Sequence, residues 1–267
     1  MNVEEAAGVL LDAEASATDR PPLTDEWADL DLPTAYEIQD ETLRRRIERG
    51  ERLVGVKLGL TSVAKQRTMG IDRPLVAWLT DAMSLGPGEP VGAGLIHPRA
   101  EPEIVFVLGG RLAGPGVTPA AALAAVESVY AGIEVIDSRF ADFRFTLPDV
   151  VADNASAARF VLGPVALEPR LLDLSLEAVV LSVGGEVVDT ATGAAVQGHP
   201  AQALAFAANT LAERGRALEA GWTVLTGGMT DAVPVPPGTT VVAELTHLGR
   251  VVLRAEARPS ARRGAST

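Results

Sequence analysis

The chain has 267 residues, 47% hydrophobic and 22% charged, a length that allows one large domain or two small ones and a composition that supports a packed core. Acidic residues outnumber basic ones 35 to 23, for a formal net charge of −12, and a nucleic-acid binder needs the opposite balance. There is no cysteine and there are three histidines, which excludes disulfides, thiolate metal sites and cysteine nucleophiles and leaves little for a histidine-rich metal site.

The opening MNVEEAAGVLLDAEA is acidic where an export signal would be basic. Residues 3–16 therefore read as an amphipathic helix, and a cytoplasmic location is expected. Thr34 and Glu37 have the spacing of a capping box, opening a helix that Gly50 can stop. The body then changes period. Segments 53–58, 104–108, 132–136, 159–162, 178–183, 186–189, 222–226, 240–246 and 250–256 are short, β-branched or alternating, and bounded by Gly or Pro, so they read as strands. Thr118-Pro119 opens an Ala-rich helix to about Tyr130, Gly184-Gly185 is a hairpin signal, and Pro200 opens a helix ending near Gly215. The longest uncharged stretch, 190–212, carries Gln197, His199, Pro200, Gln202 and Asn209 and is not a membrane span. The expected fold class is α+β, an irregular sheet-rich core with helices outside. Residues 1–75 are expected to form a helical cap and the first core strand, 76–257 a β-rich catalytic core of the same globular unit, and 258–267 a frayed polar tail.

Phosphate-loop, dinucleotide-binding, nucleophile-elbow and zinc-protease motifs are all absent. The strongest local signal is Glu101-Pro102-Glu103 at the head of an apolar strand. Side chains two apart on a strand share a face, about 7 Å apart along the backbone; a solvated strand end reads equally well from this motif alone. Glu134, flanked by Ile133, Val135 and Ile136, is costly to bury unless paired or bound to a cation. Together the three glutamates form a hard oxygen site suited to Mg²⁺ or Mn²⁺. Lys57 shares a strand face with Gly55 and Gly59. It is either an edge-strand lysine that blocks aggregation or an ammonium reaching a ligand over two glycines. Thr61 and Ser62 could hold a carboxylate, Asp81 could act in acid–base chemistry or be an ordinary turn residue, and Asp153, Asn154 and Ser156 form a polar turn.

Read in order, GVKLGLTS, EPEIVFVLG, IEVIDSRF, VVADNAS, GHP and LTGG resemble the hydratase/decarboxylase branch of the fumarylacetoacetate hydrolase superfamily, from about Tyr36 to Ala257. The resemblance implies a mixed β-rich core of rolled sheets with peripheral helices. It also implies a metal triad of Glu101, Glu103 and Glu134, an active-site Lys57 with Asp81, and substrate contacts from Thr61, Ser62, Ser156 and Thr226. Pro102 departs from the small aliphatic residue expected between the two glutamates. The implied reaction is metal-dependent decarboxylation of 4-oxalocrotonate (2-oxohex-3-enedioate) to 2-hydroxypenta-2,4-dienoate in aromatic meta-cleavage-type metabolism. The alternative is hydration of that dienol to 4-hydroxy-2-oxopentanoate. Arg139, Arg144 or Arg159 could grip the second carboxylate that only the decarboxylase substrate carries. A homo-oligomer, associated with a partner hydratase, is expected from the same resemblance.

Overall fold

A computed structural model describes residues 1–62, 66, 74–92 and 94–257; the expected tail at 258–267 lies outside them. Helix α1 (Val3–Ala15) opens on a reciprocal cap between Asn2 and Glu5, and a short α2 (Leu23–Glu26) follows. Helix α3 (Leu32–Glu48) starts before the expected Thr34 cap. The Asp31 side chain accepts the Thr34 N–H at 2.9 Å, and Pro33 fits the first turn because it needs no partner for an N–H there.

Strands β1 (Leu53–Gly59), β2 (Leu75–Thr80) and β3 (Arg99–Leu108) come next. Helix α4 (Pro119–Ala124) is shorter than its alanine content predicts, because the chain turns at once into β4 (Val126–Ile136). Val126, Val129 and Tyr130 favour a pleated surface, and the cross-strand partners Phe106 and Val105 lie opposite Val129 and Tyr130. The remaining elements are α5 (Leu147–Ala152), β5 (Ala157–Leu162), β6 (Ala178–Val183), β7 (Glu186–Thr192), α6 (Pro200–Glu213), β8 (Thr223–Leu225), β9 (Val233–Pro234), β10 (Thr240–Leu245) and β11 (Gly249–Arg254).

A seven-stranded sheet has the order β2-β1-β8-β3-β4-β5, with β9 added to β3. A four-stranded sheet, β11-β10-β6-β7, packs against it through β4 and β5. The main apolar core includes Ile104, Phe106 and Ile133 of the large sheet, Val251 of the small one and Leu204 of α6. A second apolar cluster joins the N-terminal helices, through Leu10 and Ile38, to Leu75 and Ala77 of β2 and to Phe140 and Val151. No helix among the described residues is long and apolar enough to cross a membrane.

Two features of the large sheet position functional side chains. First, β1 lies between β2 and β8, so Lys57 is on an interior strand and edge protection does not explain it. Second, Pro102 is tolerated inside β3 because its carbonyl side faces the 228–230 loop, where Met229 N–H donates to it at 2.9 Å. No strand ladder asks for its missing donor there.

Gly55 serves packing and leaves no ligand space. A Cβ there would lie 1.9 Å from the Thr223 carbonyl oxygen, where β1 and β8 run parallel. Gly55→Ala should therefore lower stability by about 1–3 kcal/mol or more, the cost of overpacking, seen as a fall in Tm. An unchanged Tm would show that the two strands can separate freely.

Candidate active site

Antiparallel pairing of β3 with β4 sets Glu101 opposite Glu134 and Glu103 opposite Gly132. Strand alternation then brings all three glutamates to one face, where their carboxylate oxygens lie within 4.8 Å of one another. Glu103 and Glu134 are 0% and 1% exposed, and Glu101 is 9%. Glu103 Oε2 accepts the Gly227 N–H at 2.7 Å, and Glu134 Oε1 faces Lys57 Nζ at 3.1 Å. Among the described residues, Glu103 Oε1 and Glu134 Oε2 have no protein donor. Buried anionic oxygens without donors are what a hard divalent cation satisfies, so the donor set fits Mg²⁺ or Mn²⁺.

The electrostatics agree with that geometry. Burial, and then the charges of Glu134 and Glu101, push Glu103 well above the usual carboxylate range. Burial lifts Glu134 to about 6, against the pull of Lys57. The turn behind the cluster is built from glycine because nothing larger fits. A Cβ at Gly228 would come within 2.8 Å of Glu101 Cδ, and one at Gly227, which has φ +107°, within 2.1 Å of Thr61 Oγ1. Thr226 pins this turn by donating its hydroxyl to the Ile104 carbonyl at 2.7 Å.

Lys57 is 2% exposed and is aimed by two contacts, Glu134 and the Ala155 carbonyl, the latter at 2.9 Å. That carbonyl belongs to three consecutive left-handed residues, Asn154, Ala155 and Ser156, with φ of +51°, +49° and +58°. Such conformations cost of order 1 kcal/mol or more each and persist only when their surroundings enforce them. The Asn154 amide accepts the Trp78 N–H at 2.8 Å and donates to the Trp78 carbonyl at 2.9 Å, like an added strand residue. Ser156 donates its N–H to the Asp153 carbonyl and its hydroxyl to Asp153 Oδ2. Asp153 is in turn held by a buried ion pair with Arg139, whose guanidinium also donates to the carbonyls of Asp137 and Asp153.

A cavity of about 90 Å³ opens between these groups. Lys57, Glu101, Thr61, Ser156 and Gly228 make its polar end, while Leu75, Phe143, Phe145 and Val150 make an apolar wall. Of the residues expected from sequence, the structure thus gathers Lys57, the three glutamates, Thr61 and Ser156. Thr226 lies behind the glutamates and shapes the turn. Ser62, half-buried, follows Thr61 and is not on the cavity wall; its carbonyl accepts the Gln66 N–H.

Asp81 is not brought to this site. β1 pairs Leu53 with Thr80 and Lys57 with Ala77, so Asp81 lies about four residues, or ~13 Å, along the strands from the lysine. Its carboxylate accepts the Arg52 N–H at 2.8 Å and pairs with Arg52 Nε at 2.9 Å, and these hydrogen bonds hold it below the usual range. It closes the start of β1. The three arginines expected at a second carboxylate pocket are also elsewhere. Arg139 is consumed by the Asp153 clamp, Arg144 pairs with Asp25 on the surface, and Arg159 donates to the Ala158 carbonyl.

The family model described as fumarylacetoacetate (FAA) hydrolase C-terminal matches residues 54–255. The chain belongs to the fumarylacetoacetate hydrolase family. It is 44% identical to a 4-oxalocrotonate decarboxylase of Pseudomonas sp. (strain CF600), covering 91% of this chain and 92% of that one. It is 41% identical to a 2-keto-4-pentenoate hydratase of Paraburkholderia xenovorans (strain LB400), covering 93% of each. Among solved structures, the 4-oxalocrotonate decarboxylase of Pseudomonas putida G7, complexed with magnesium and adipate, superposes with a TM-score of 0.92 at 40% identity, over 95% of this chain and 97% of that one. The fold is accordingly the α+β arrangement of helices and curled sheets of that family, and the similar proteins are lyases of both kinds.

Sequence reading missed the positioning parts: the Ala155 carbonyl and the Arg139–Asp153 clamp. The available signal was the Asp-Asn pair before Ala155, since these residues tolerate left-handed backbone.

This geometry has two measurable consequences. Divalent metal must displace protons from Glu103 and Glu134, so Mg²⁺ affinity of the metal-free protein should fall as pH drops through about 6, with protons released on binding. Calorimetry in buffers of different ionisation enthalpy measures both effects; affinity unchanged between about pH 5 and 8 would contradict them. Asp153→Asn leaves Arg139 buried without its counter-charge, which should cost about 3–5 kcal/mol. Chemical denaturation measures this, and a loss below about 1 kcal/mol would show that the clamp is dispensable.

Proposed function

We propose that this protein is a metal-dependent carboxy-lyase that converts 4-oxalocrotonate to 2-hydroxypenta-2,4-dienoate and CO₂. The observation that carries this reading is the buried Glu101–Glu103–Glu134 cluster beside Lys57. It occurs in a chain similar over nearly its whole length to decarboxylases, one of them solved with magnesium and a six-carbon diacid. Glu101, Glu103 and Glu134 would hold Mg²⁺, with Mn²⁺ acceptable to the same oxygens. Bound there, a divalent cation supplies Lewis acidity to the oxygens of a 2-oxo acid head.

The chain's own residues account for the remainder. Thr61 presents its hydroxyl to the 1-carboxylate at the polar end of the cavity, which Ser156, its own hydroxyl donated to Asp153, helps to line. Lys57, held by Glu134 and the Ala155 carbonyl, presents its ammonium to the 2-oxygen. When the C5–C6 bond breaks, its electron pair forms the C4–C5 double bond, the C3–C4 pair moves to C2–C3, and the carbonyl pair comes to rest on the 2-oxygen. A fixed ammonium favours that charge more in the transition state than in the substrate, and it can deliver the proton that makes the dienol. Phe143, Phe145 and Val150 keep water from the carbon chain, so a charged carboxylate can leave as neutral CO₂ without water adding in its place.

Hydration of the dienol is the second reading. Its support is the 41% identity to a hydratase over the same span. The apolar wall favours decarboxylation, because hydration needs a water placed against the chain and a proton donor at carbon.

A cytoplasmic homo-oligomer that associates with a partner hydratase belongs to the same proposal, since the dienol produced is that enzyme's substrate. So does the reading of 1–75 and 76–257 as cap and core of one unit, which the shared apolar cluster supports.

Lys57→Met keeps the side chain's volume and removes its charge. With Mg²⁺ present, kcat for CO₂ release from 4-oxalocrotonate should fall at least about 100-fold, with the fold retained by circular dichroism. Wild-type turnover by the variant would remove Lys57 from the mechanism. Rapid hydration of the dienol by the wild type, with no CO₂ from the diacid, would replace the decarboxylase reading with the hydratase one.

A further inference from the structure

The three arginines expected to meet the substrate's distal carboxylate are committed elsewhere, yet a fourth lies on the glutamate face itself. Arg99 begins β3, two residues before Glu101, and pairs with Ile136 of β4, as Glu101 pairs with Glu134. Alternation therefore directs Arg99 to the same side of the sheet as the cluster. Its guanidinium lies 4.3 Å from the centroid of the Phe143 ring, and Phe143 is part of the catalytic cavity's apolar wall, as is Ile136. Arg99 also lines a larger cavity of about 520 Å³, beside His97 and Glu256. The His97 ring packs against Phe143 as well, with centroids 4.7 Å apart. Arg99 is half-buried, and among the described residues it has no carboxylate within ion-pair range.

A guanidinium held by an aromatic face keeps its N–H fork available for a planar anion. The spacing suits the substrate. Two strand residues advance about 7 Å, and the terminal carbons of an extended six-carbon diacid are roughly 6 Å apart at ordinary bond lengths. A molecule whose 2-oxo acid head is held at Glu101 places its other end near Arg99, past Phe143.

We propose that Arg99 is the specificity-determining residue that recognises the distal carboxylate of the diacid, and that Phe143 holds its guanidinium in position. The assignment rests on the decarboxylation reading. Arg99 binds a group that leaves as neutral CO₂, so its interaction is lost in the reaction. It therefore lowers KM without raising kcat.

The test is equilibrium binding to the Mg²⁺-loaded protein of adipate against its monomethyl ester, with pyruvate as a probe of the head site alone. A charge-assisted pair predicts that the wild type prefers adipate by about 10- to 150-fold. Arg99→Met should bring that ratio close to one while leaving the ester and pyruvate unchanged, and Arg99→Lys should recover part of it. In turnover, Arg99→Met should raise KM for the diacid with kcat undiminished. A wild-type ratio near one, a ratio that survives Arg99→Met, or equal weakening of all three ligands would overturn the assignment. If Arg99→Met does not fold, Arg99→Lys decides: a ratio equal to that of the wild type would overturn the proposal. Absence of CO₂ release by the wild type would count against the reaction and not against Arg99, whose role the binding ratio tests separately.

Discussion

Three carboxylates held within 4.8 Å of one another, almost out of contact with water, repel one another, and among the described residues Lys57 sets its ammonium 3.1 Å from one of them. The rest of the site depends on how the chain enforces this arrangement. The register of β3 on β4 makes Glu101 and Glu134 direct cross-strand neighbours on one face of the central ladder. The two glycines after Thr226 let the backbone close over the cluster and give one N–H to Glu103. The left-handed turn at 154–156 fixes the lysine. Strain and repulsion stored in this way are characteristic of binding sites, where a ligand relieves what the fold cannot.

The order of enforcement runs outward from the cluster. The Ala155 carbonyl aims Lys57, the backbone around Ala155 is held by Asp153 and Asn154, Asp153 is held by Arg139, and Asn154 is held by β2. β2 is covered by α3 through Ile38. The N-terminal helices thus support the lysine's surroundings from behind β2. They seal the outer face of the strand on which the lysine's support is built.

The parts legible in sequence are those with a short-range signature. Strand alternation alone places Glu101 and Glu103 on one face, and Glu134 is conspicuous among Ile133, Val135 and Ile136. The α+β class comes from the many short β-branched segments. What escapes reading depends on long-range contacts. In sequence Lys57 could sit on an edge, because nothing local shows β2 and β8 flanking its strand; β2 itself, an unbroken apolar run, carries no alternation. A motif position points Asp81 to the site, but the strand pair carries it to the far end, where Arg52 is nearer. Arg139 reads as available until folding places Asp153 beside it. The helix expected up to Tyr130 gives way at Val126 because pairing with β3 outweighs local alanine propensity. Asp31 takes the cap from Thr34 by coming first, with Pro33 able to follow it. Decarboxylase and hydratase relatives match this chain at 44% and 41% identity, so overall identity separates them poorly.

A cation site whose internal repulsion the metal-free fold tolerates has a direct thermodynamic signature. Thermal denaturation of Glu103→Gln, with and without Mg²⁺, reads it. At a pH high enough to ionise Glu103, removing one of three mutually repelling charges should raise the Tm of the metal-free protein above that of the wild type, and abolish the rise that Mg²⁺ gives the wild type. A variant less stable than the metal-free wild type, yet still stabilised by Mg²⁺ to the same extent, would show that the cluster is not the cation's site.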